Sequence, residues 1–152
     1  LDEWGSGSYF VEIGGELKIK GVKADGSSWV PAIEAPLDQA SQVYEIFSNL
    51  GQSIAVAGSG DYRNYFEVDG VRYSHEIDPR TGRPVRHHLA AAYVIADSAA
   101  LADALATAYM VMGEESAYVH AERRGIAVFL IAREGDAFAE RVSSAFTPYL
   151  EE

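Results

Sequence analysis

Residues 98–112 constrain the fold most, because they predict a helix that is apolar on nearly every side. Asp97 or Ser98 can cap the start of this helix, and Gly113 can end it. Larger apolar side chains form one stripe at helical spacing, namely Leu101, Leu105, Ala108 and Met112. A helix of this composition is covered on more than one side, so it needs several packing partners.

Strand patterns fill most of the remaining chain. We predict strands at residues 9–13, 17–20, 29–34, 43–47, 53–57, 64–68, 71–77, 89–96 and 126–132. The apolar run at 89–96 predicts a central strand, whereas Gly58-Ser59-Gly60 is expected to interrupt the strand pattern. Residues 36–42 are ambiguous between a loop and one helical turn, and residues 114–123 predict a second helix. The sequence therefore predicts an α+β fold with a mixed or antiparallel sheet and helices packed on one face.

The clearest local signal is a hairpin around Asp69-Gly70, a two-residue loop that favours a type I′ turn. The pairs that this turn implies are Val68 with Val71, Phe66 with Tyr73, and Asn64 with His75. Because side chains alternate along a strand, His75 should share the apolar face of Tyr73 and Ile77.

Composition excludes several classes of function. The 152 residues suit one domain, and no apolar run approaches the ~20 residues that span a membrane. The net charge is -11 and the 12 basic residues do not cluster, so neither nucleic acid nor an anionic membrane surface is an expected partner. There is no cysteine, which excludes disulfides, thiolate metal sites and cysteine nucleophiles.

Asp103 and Thr107 are the polar side chains inside the predicted helix. They are four residues apart, so their oxygens project from one face. A carboxylate and a hydroxyl suit a hard cation such as Mg²⁺, which also recruits phosphates. The alternative is structural: Asp103 accepts a hydrogen bond from a neighbouring element, and Thr107 bonds back to its own helix.

Three further features admit two interpretations each. His75 is either a core histidine bonded to Asn64 or a site residue, and Asp78, which precedes a proline in a turn, is either catalytic or a backbone cap. The glycines at Gly14-Gly15 and Gly58-Ser59-Gly60 either form turns or let the backbone approach a pyrophosphate.

Several motifs together resemble the ApbE family, and the resemblance runs from residue 13 to the strand near 126. The motifs are Ser59-Gly60-Asp61-Tyr62, Asp69-Gly70, Ser74-His75-Glu76-Ile77-Asp78-Pro79-Arg80-Thr81-Gly82, and Ala102-Asp103-Ala104-Leu105-Ala106-Thr107-Ala108. Members of that family bind FAD and Mg²⁺ and transfer FMN to a Thr or Ser of a target flavoprotein, with release of AMP. The resemblance implies that Asp103 and Thr107 are metal ligands, that His75 is catalytic, and that Ile77 and Ser59 contact the flavin nucleotide.

The resemblance leaves other functions open. One alternative is an FAD-binding protein without transferase activity, and another is a metal-dependent FAD pyrophosphatase. Departures from the family pattern include Glu12, Gly58 and Ala106, which stand where members often have Asp, Thr and a second Asp.

Family members are roughly twice as long, so we expect residues 1–152 to be a single ApbE-like C-terminal region. The N-terminal half of the catalytic unit is then absent or supplied by a second chain, and self-association is possible. Without that half, the chain is expected to bind FAD weakly or not at all and to transfer no FMN. The family resemblance implies an exported, periplasmic or membrane-anchored lipoprotein, although no signal segment is visible in this sequence.

Overall fold

The structure of the protein, a computed structural model, describes residues 1–37, 41–62, 65–68 and 71–150, and for residues 65–68, 71 and 72 it describes the backbone alone. The strands are β1 (Tyr9–Ile13), β2 (Glu16–Lys20), β3 (Ala32–Glu34), β4 (Val43–Ile46), β5 (Ile54–Gly60), β6 (Tyr65–Val68), β7 (Val71–Ser74), β8 (Ile77–Asp78), β9 (Arg83–Pro84), β10 (Leu89–Ala96), β11 (Ala127–Glu134) and β12 (Ala137–Val142). The helices are α1 (Ala99–Met112), α2 (Glu114–Arg124) and α3 (Thr147–Leu150), after a short 3₁₀ helix at Asp2–Trp4.

A six-stranded sheet in the order β1-β2-β5-β10-β11-β12 forms the centre of the described structure, and all of its neighbouring strands are antiparallel. β10 lies between β5 and β11, so the prediction of a central strand is confirmed. Helices α1 and α2 pack on one face of the sheet. Phe47, which follows β4, and Phe146, which precedes α3, pack on the other face. The α+β prediction is therefore confirmed, and no described helix is long and apolar enough to cross a membrane.

Helix α1 begins and ends where the sequence predicts, and its apolar stripe is only partly packed. The Ser98 hydroxyl accepts a hydrogen bond from the Leu101 N–H, and Gly113 ends the helix with φ of 78°. The buried side chains of α1 are Ala102, Ala106, Tyr109 and Met110, whereas Leu101 is 48% exposed. Leu105 and Met112 of the predicted stripe are partly buried and pack against the same core, so the helix packs on more than one side as expected.

The hairpin of β6 and β7 has the predicted pairs of Val68 with Val71 and Phe66 with Tyr73. Asn64 and Asp69-Gly70 lie outside the described residues. The prediction that His75 continues the strand on an apolar face is wrong. β7 ends at Ser74 and the chain bends at His75, so that Ser74 and Glu76 are buried while His75 is exposed. The physical reason is that the Ser74 hydroxyl donates to the Glu76 carboxylate, which lets this polar pair take the interior position.

The segment Asp78-Pro79-Arg80 forms the turn between β8 and β9, and Asp78 caps it. The Arg80 N–H donates to Asp78 Oδ1 at 2.9 Å, and its guanidinium binds the same carboxylate. The hydrogen bond from the Arg80 side chain, followed by that from its backbone, lowers the pKa of Asp78. The capping interpretation of Asp78 accounts for these contacts.

Strand β5 continues through Gly58-Ser59-Gly60, so the predicted interruption is wrong. A Cβ on Gly58 would lie 2.4 Å from Tyr93 Cε1, and one on Gly60 would lie 2.4 Å from Tyr62 Cε1. These glycines therefore belong to the strand because aromatic rings from two other segments occupy the space above them.

We expect Gly58→Ala to lower the free energy of unfolding by ~1–3 kcal/mol, because the added methyl group has to displace the Tyr93 ring. Urea unfolding followed by circular dichroism measures the change. Gly7→Ala is the matched control, since nothing lies within 4 Å of the methyl group that it adds. Equal stability of the two variants would show that the Tyr93 ring does not constrain β5.

Candidate active site

A cavity of about 670 Å³ lies at the end of the β1–β2 hairpin. Its wall includes Gly14 and Gly15 of the hairpin turn and the last three residues of β5. On this side of β5, strand β2 pairs only from Ile54 to Val56. Within the described part of the chain, residues 58–60 therefore have β10 as their only strand neighbour. One backbone edge of β5 faces the cavity, and such an edge offers N–H and C=O groups to a ligand.

Four of the five predicted site residues line this cavity: Ser59, His75, Asp103 and Thr107. Asp103 and Thr107 lie one turn apart on an exposed side of α1. The Thr107 hydroxyl is 3.1 Å from the Ser59 hydroxyl, so α1 and β5 meet through this hydrogen bond. Ile77 is 48% exposed and lies outside the cavity lining. Its flavin contact stays a prediction.

A hydrogen-bonded group on the other side of β5 forms a second part of the wall. Tyr62 donates to Glu34 Oε2 at 3.0 Å, Tyr93 donates to the Glu34 carbonyl at 3.0 Å, and the Ser41 hydroxyl donates to Glu34 Oε1. Burial, followed by the neighbouring Tyr93 and Glu34, raises the pKa of Tyr62 well above its ordinary value. Tyr62 is therefore a neutral hydrogen-bond donor, and Glu34 is held as a fully bonded carboxylate.

The described lining of the cavity is acidic. It includes five carboxylates and no lysine or arginine; the carboxylates are Glu12, Glu16, Glu34, Glu76 and Asp103. Such a wall repels phosphate groups unless a cation lies between them. A phosphate-bearing ligand in this cavity therefore requires positive charge from a metal ion or from another segment of protein.

Asp103 and Thr107 fit a hard cation by the chemistry of their oxygen atoms. Among the described residues there is no group of three His, Cys, Asp or Glu side chains that would hold a metal by themselves. A cation bound by Asp103 and Thr107 would thus keep most of its coordination positions for water or for ligand oxygens, as Mg²⁺ commonly does with substrate phosphates.

Comparison with known proteins identifies the family: the model of the ApbE family matches residues 1–130. This chain belongs to the ApbE family. It is 48% identical over 150 residues to the FAD:protein FMN transferase of Vibrio cholerae and 41% identical to that of Escherichia coli K12. These matches cover 99% of the chain but only 44% and 42% of the two relatives. The chain therefore spans less than half the length of the curated ApbE relatives it matches.

Solved ApbE structures have the same fold. The structure of the Vibrio cholerae flavin transferase ApbE aligns with a TM-score of 0.84 and 46% identity, over 99% of this chain and 47% of the other. The apo form of Pseudomonas stutzeri flavinyl transferase ApbE aligns with a TM-score of 0.79 and 49% identity, over 95% of this chain and 44% of the other.

Asp61 of the Ser-Gly-Asp-Tyr motif of this ApbE chain stabilises the cavity floor. Both of its carboxylate oxygens accept hydrogen bonds from the Arg133 guanidinium, at 2.7 and 2.8 Å. The Asp61 N–H also donates to the Ala90 carbonyl at 3.0 Å, so this residue connects the ends of β5, β10 and β11. Its neighbours Gly60 and Tyr62 both line the cavity, which makes the ion pair a support for the site.

The sequence analysis assigned no role to several lining residues of this ApbE cavity, namely Glu34, Tyr62, Glu76 and Tyr93. The one sequence feature that points to them is the glycine at alternate positions, Gly58 and Gly60, which indicates that large groups lie over one face of the strand. That signal does not say which segments supply those groups, because Glu34, Tyr62 and Tyr93 come from separate parts of the chain.

Proposed function

We propose that this chain forms part of an FAD:protein FMN transferase, which moves FMN from FAD to a Thr or Ser hydroxyl of a target flavoprotein and releases AMP. The observation that supports this proposal best is that one cavity includes Ser59, His75, Asp103 and Thr107. These residues come from three separate segments, and family membership adds the transferase names of the relatives.

In this proposal Asp103 and Thr107 hold Mg²⁺. When bound, the ion would neutralise phosphate charge that the acidic wall otherwise repels. The Ser59 hydroxyl, 3.1 Å from that of Thr107, orients the threonine oxygen. The open edge of β5 supplies backbone N–H groups, which bind phosphate oxygens without adding charge.

The transfer itself is a phosphoryl substitution. The acceptor hydroxyl oxygen forms a bond to the FMN phosphorus while the bond between that phosphorus and the bridging oxygen breaks, and AMP leaves with that oxygen. The acceptor hydroxyl loses its proton in this step. His75, half-exposed on the cavity wall, is placed to take that proton or to position the pyrophosphate.

Two alternatives use the same cavity. An FAD pyrophosphatase would replace the acceptor hydroxyl with water, and a binding protein would hold FAD without reaction. The acidic wall calls for a cation in all three cases, so only the products of the reaction distinguish them.

The test uses this chain together with the additional length that its ApbE relatives have, because we expect no transfer from the chain alone. This protein is incubated with FAD, Mg²⁺ and a panel of apo-flavoproteins from the same genome. We expect one acceptor to gain covalent flavin fluorescence in a denaturing gel and the mass of one FMN, with AMP released in equal amount. We expect His75→Gln to slow labelling by at least about tenfold, because the variant lacks the group that acts as general acid or base.

The other outcomes decide between the alternatives. Release of AMP without a labelled acceptor would identify a pyrophosphatase. Binding of FAD without AMP release would identify a binding protein. Either result contradicts the transferase proposal.

A further inference from the structure

Glu76 has an unusual environment for a carboxylate on a cavity wall. The residue is 5% exposed, and the Ser74 hydroxyl donates to its Oε2 atom. Its own N–H donates to Ser74 Oγ at 3.2 Å, which closes a small ring of hydrogen bonds. Oε1 is buried and has no hydrogen-bond partner among the described residues. Half of this carboxylate is therefore fixed, and the other half is available to a donor.

Glu34, by contrast, is a carboxylate of the same cavity whose role is structural. Ser41 and Tyr62 donate to its two oxygens, so Glu34 has no need of a ligand or a moving side chain. A buried acceptor without a partner is costly, so it calls for an explanation, and a donor supplied in another state of the site is one.

The His75 ring is the candidate donor for Glu76 Oε1. Its Nε2 atom lies 4.0 Å from Glu76 Oε1, about 1 Å beyond hydrogen-bond distance. The His75 side chain is 48% exposed, so a small rotation of its ring into bonding distance meets little steric resistance. Glu76 and His75 both line the cavity, so the pair would act where a ligand is bound.

We propose that Glu76 is a positioning residue for His75, with its free Oε1 atom accepting a hydrogen bond from His75 Nε2–H. Ser74 aims the carboxylate by holding Oε2. A carboxylate in this position fixes the imidazole tautomer and the ring orientation, and it leaves Nδ1 as the atom that can accept a proton. The proposal deepens the transferase function above and rests on it for the role of His75.

The first test reads the hydrogen bond itself, without any substrate. In protein labelled with ¹⁵N-histidine, at low temperature and fixed pH, we expect a downfield Nε2–H proton signal from His75. Its absence from a His75→Gln variant assigns it. In Glu76→Leu, the exchange of this proton with water should be at least tenfold faster, because the acceptor is lost.

Two further variants make this test specific. Glu12→Gln removes a carboxylate from the same wall and should leave the signal in place. Glu76→Gln keeps an acceptor oxygen and should retain part of the exchange protection. Where Glu76→Leu does not fold, Ser74→Ala decides, since the released carboxylate should allow faster exchange. The same exchange rate in the parent and in Glu76→Leu, or in the parent and in Ser74→Ala where Glu76→Leu does not fold, would overturn the proposal.

The second test separates this inference from the transferase proposal. In the labelling assay, Glu76→Gln should lower kcat by about tenfold with little change in KM for FAD, as expected for a group that acts through His75. If the His75 Nε2–H proton is protected from exchange but no acceptor is labelled, the transferase proposal is contradicted and the hydrogen-bond proposal is supported. Normal kcat in Glu76→Gln together with unprotected His75 would overturn the positioning role.

Discussion

Asp103→Asn should reduce FMN labelling of the acceptor by on the order of 10²–10³-fold, the range for removal of one preorganised electrostatic group. Asp103 is exposed on α1 and lines the cavity beside Thr107, so its negative charge is free to attract a cation. Asparagine has nearly the same shape but no charge. The same variant should bind Mn²⁺, a probe that prefers the same oxygen ligands as Mg²⁺, at least tenfold more weakly.

The Mn²⁺ measurement is independent of catalysis, because electron paramagnetic resonance detects the free ion directly. Asp136→Asn is the matched control: it removes one charge from the exposed turn between β11 and β12, outside the cavity. Thr107→Ser should bind Mn²⁺ nearly as the parent does, since it keeps the hydroxyl, whereas Thr107→Val should not. Equal Mn²⁺ affinity in the Asp103 and Asp136 variants would exclude Asp103 as a metal ligand.

Arg133→Met should lower the free energy of unfolding by about 3 kcal/mol, because it leaves the Asp61 carboxylate without its guanidinium in a mostly buried position. The side chain of Asp61 is 12% exposed and that of Arg133 is 27% exposed, so water replaces the lost contacts poorly. Urea unfolding of the parent and the variant measures the loss.

A second Arg–Asp ion pair, on the surface of the chain, provides the matched control. Arg80 also binds Asp78 through two nitrogens, but its side chain is 75% exposed. Arg80→Met should therefore leave the unfolding midpoint close to that of the parent. The double variant Asp61→Asn with Arg133→Met should be more stable than the sum of the single changes predicts, since both changes remove the same ion pair. Strict additivity would show that the two residues do not interact.

Local signals account for the elements that the sequence predicts well. The cap at Ser98, the glycine at Gly113 and the pairing of Val68 with Val71 depend on neighbours within a few residues. The continuous apolar run of β10 reports burial on both faces, which only a central strand has. Such features are visible without knowledge of the tertiary structure.

Predictions failed where particular side-chain contacts, near or distant in sequence, decide the outcome. His75 is exposed because Ser74 and Glu76 satisfy each other in the interior, which the alternation rule does not anticipate. β5 continues through its glycines because the Tyr93 and Tyr62 rings cover them. The periodicity of α1 does not show which of its apolar residues are fully buried. The buried ones are Ala102, Ala106, Tyr109 and Met110, whereas Leu101 is exposed.

The β1–β2 hairpin is short, and its length governs how large a ligand the fold admits. Its turn at Gly14-Gly15 ends the pairing with β5 at Val56, four residues before β5 itself ends at Gly60. Four more residues on each strand would extend the hairpin by ~13 Å and pair the remaining edge of β5. The cavity would then close without any change to α1 or to the centre of the sheet. Hairpin length is therefore a design variable, by which an engineer can widen or abolish this cavity without changing Asp103, Thr107 or His75.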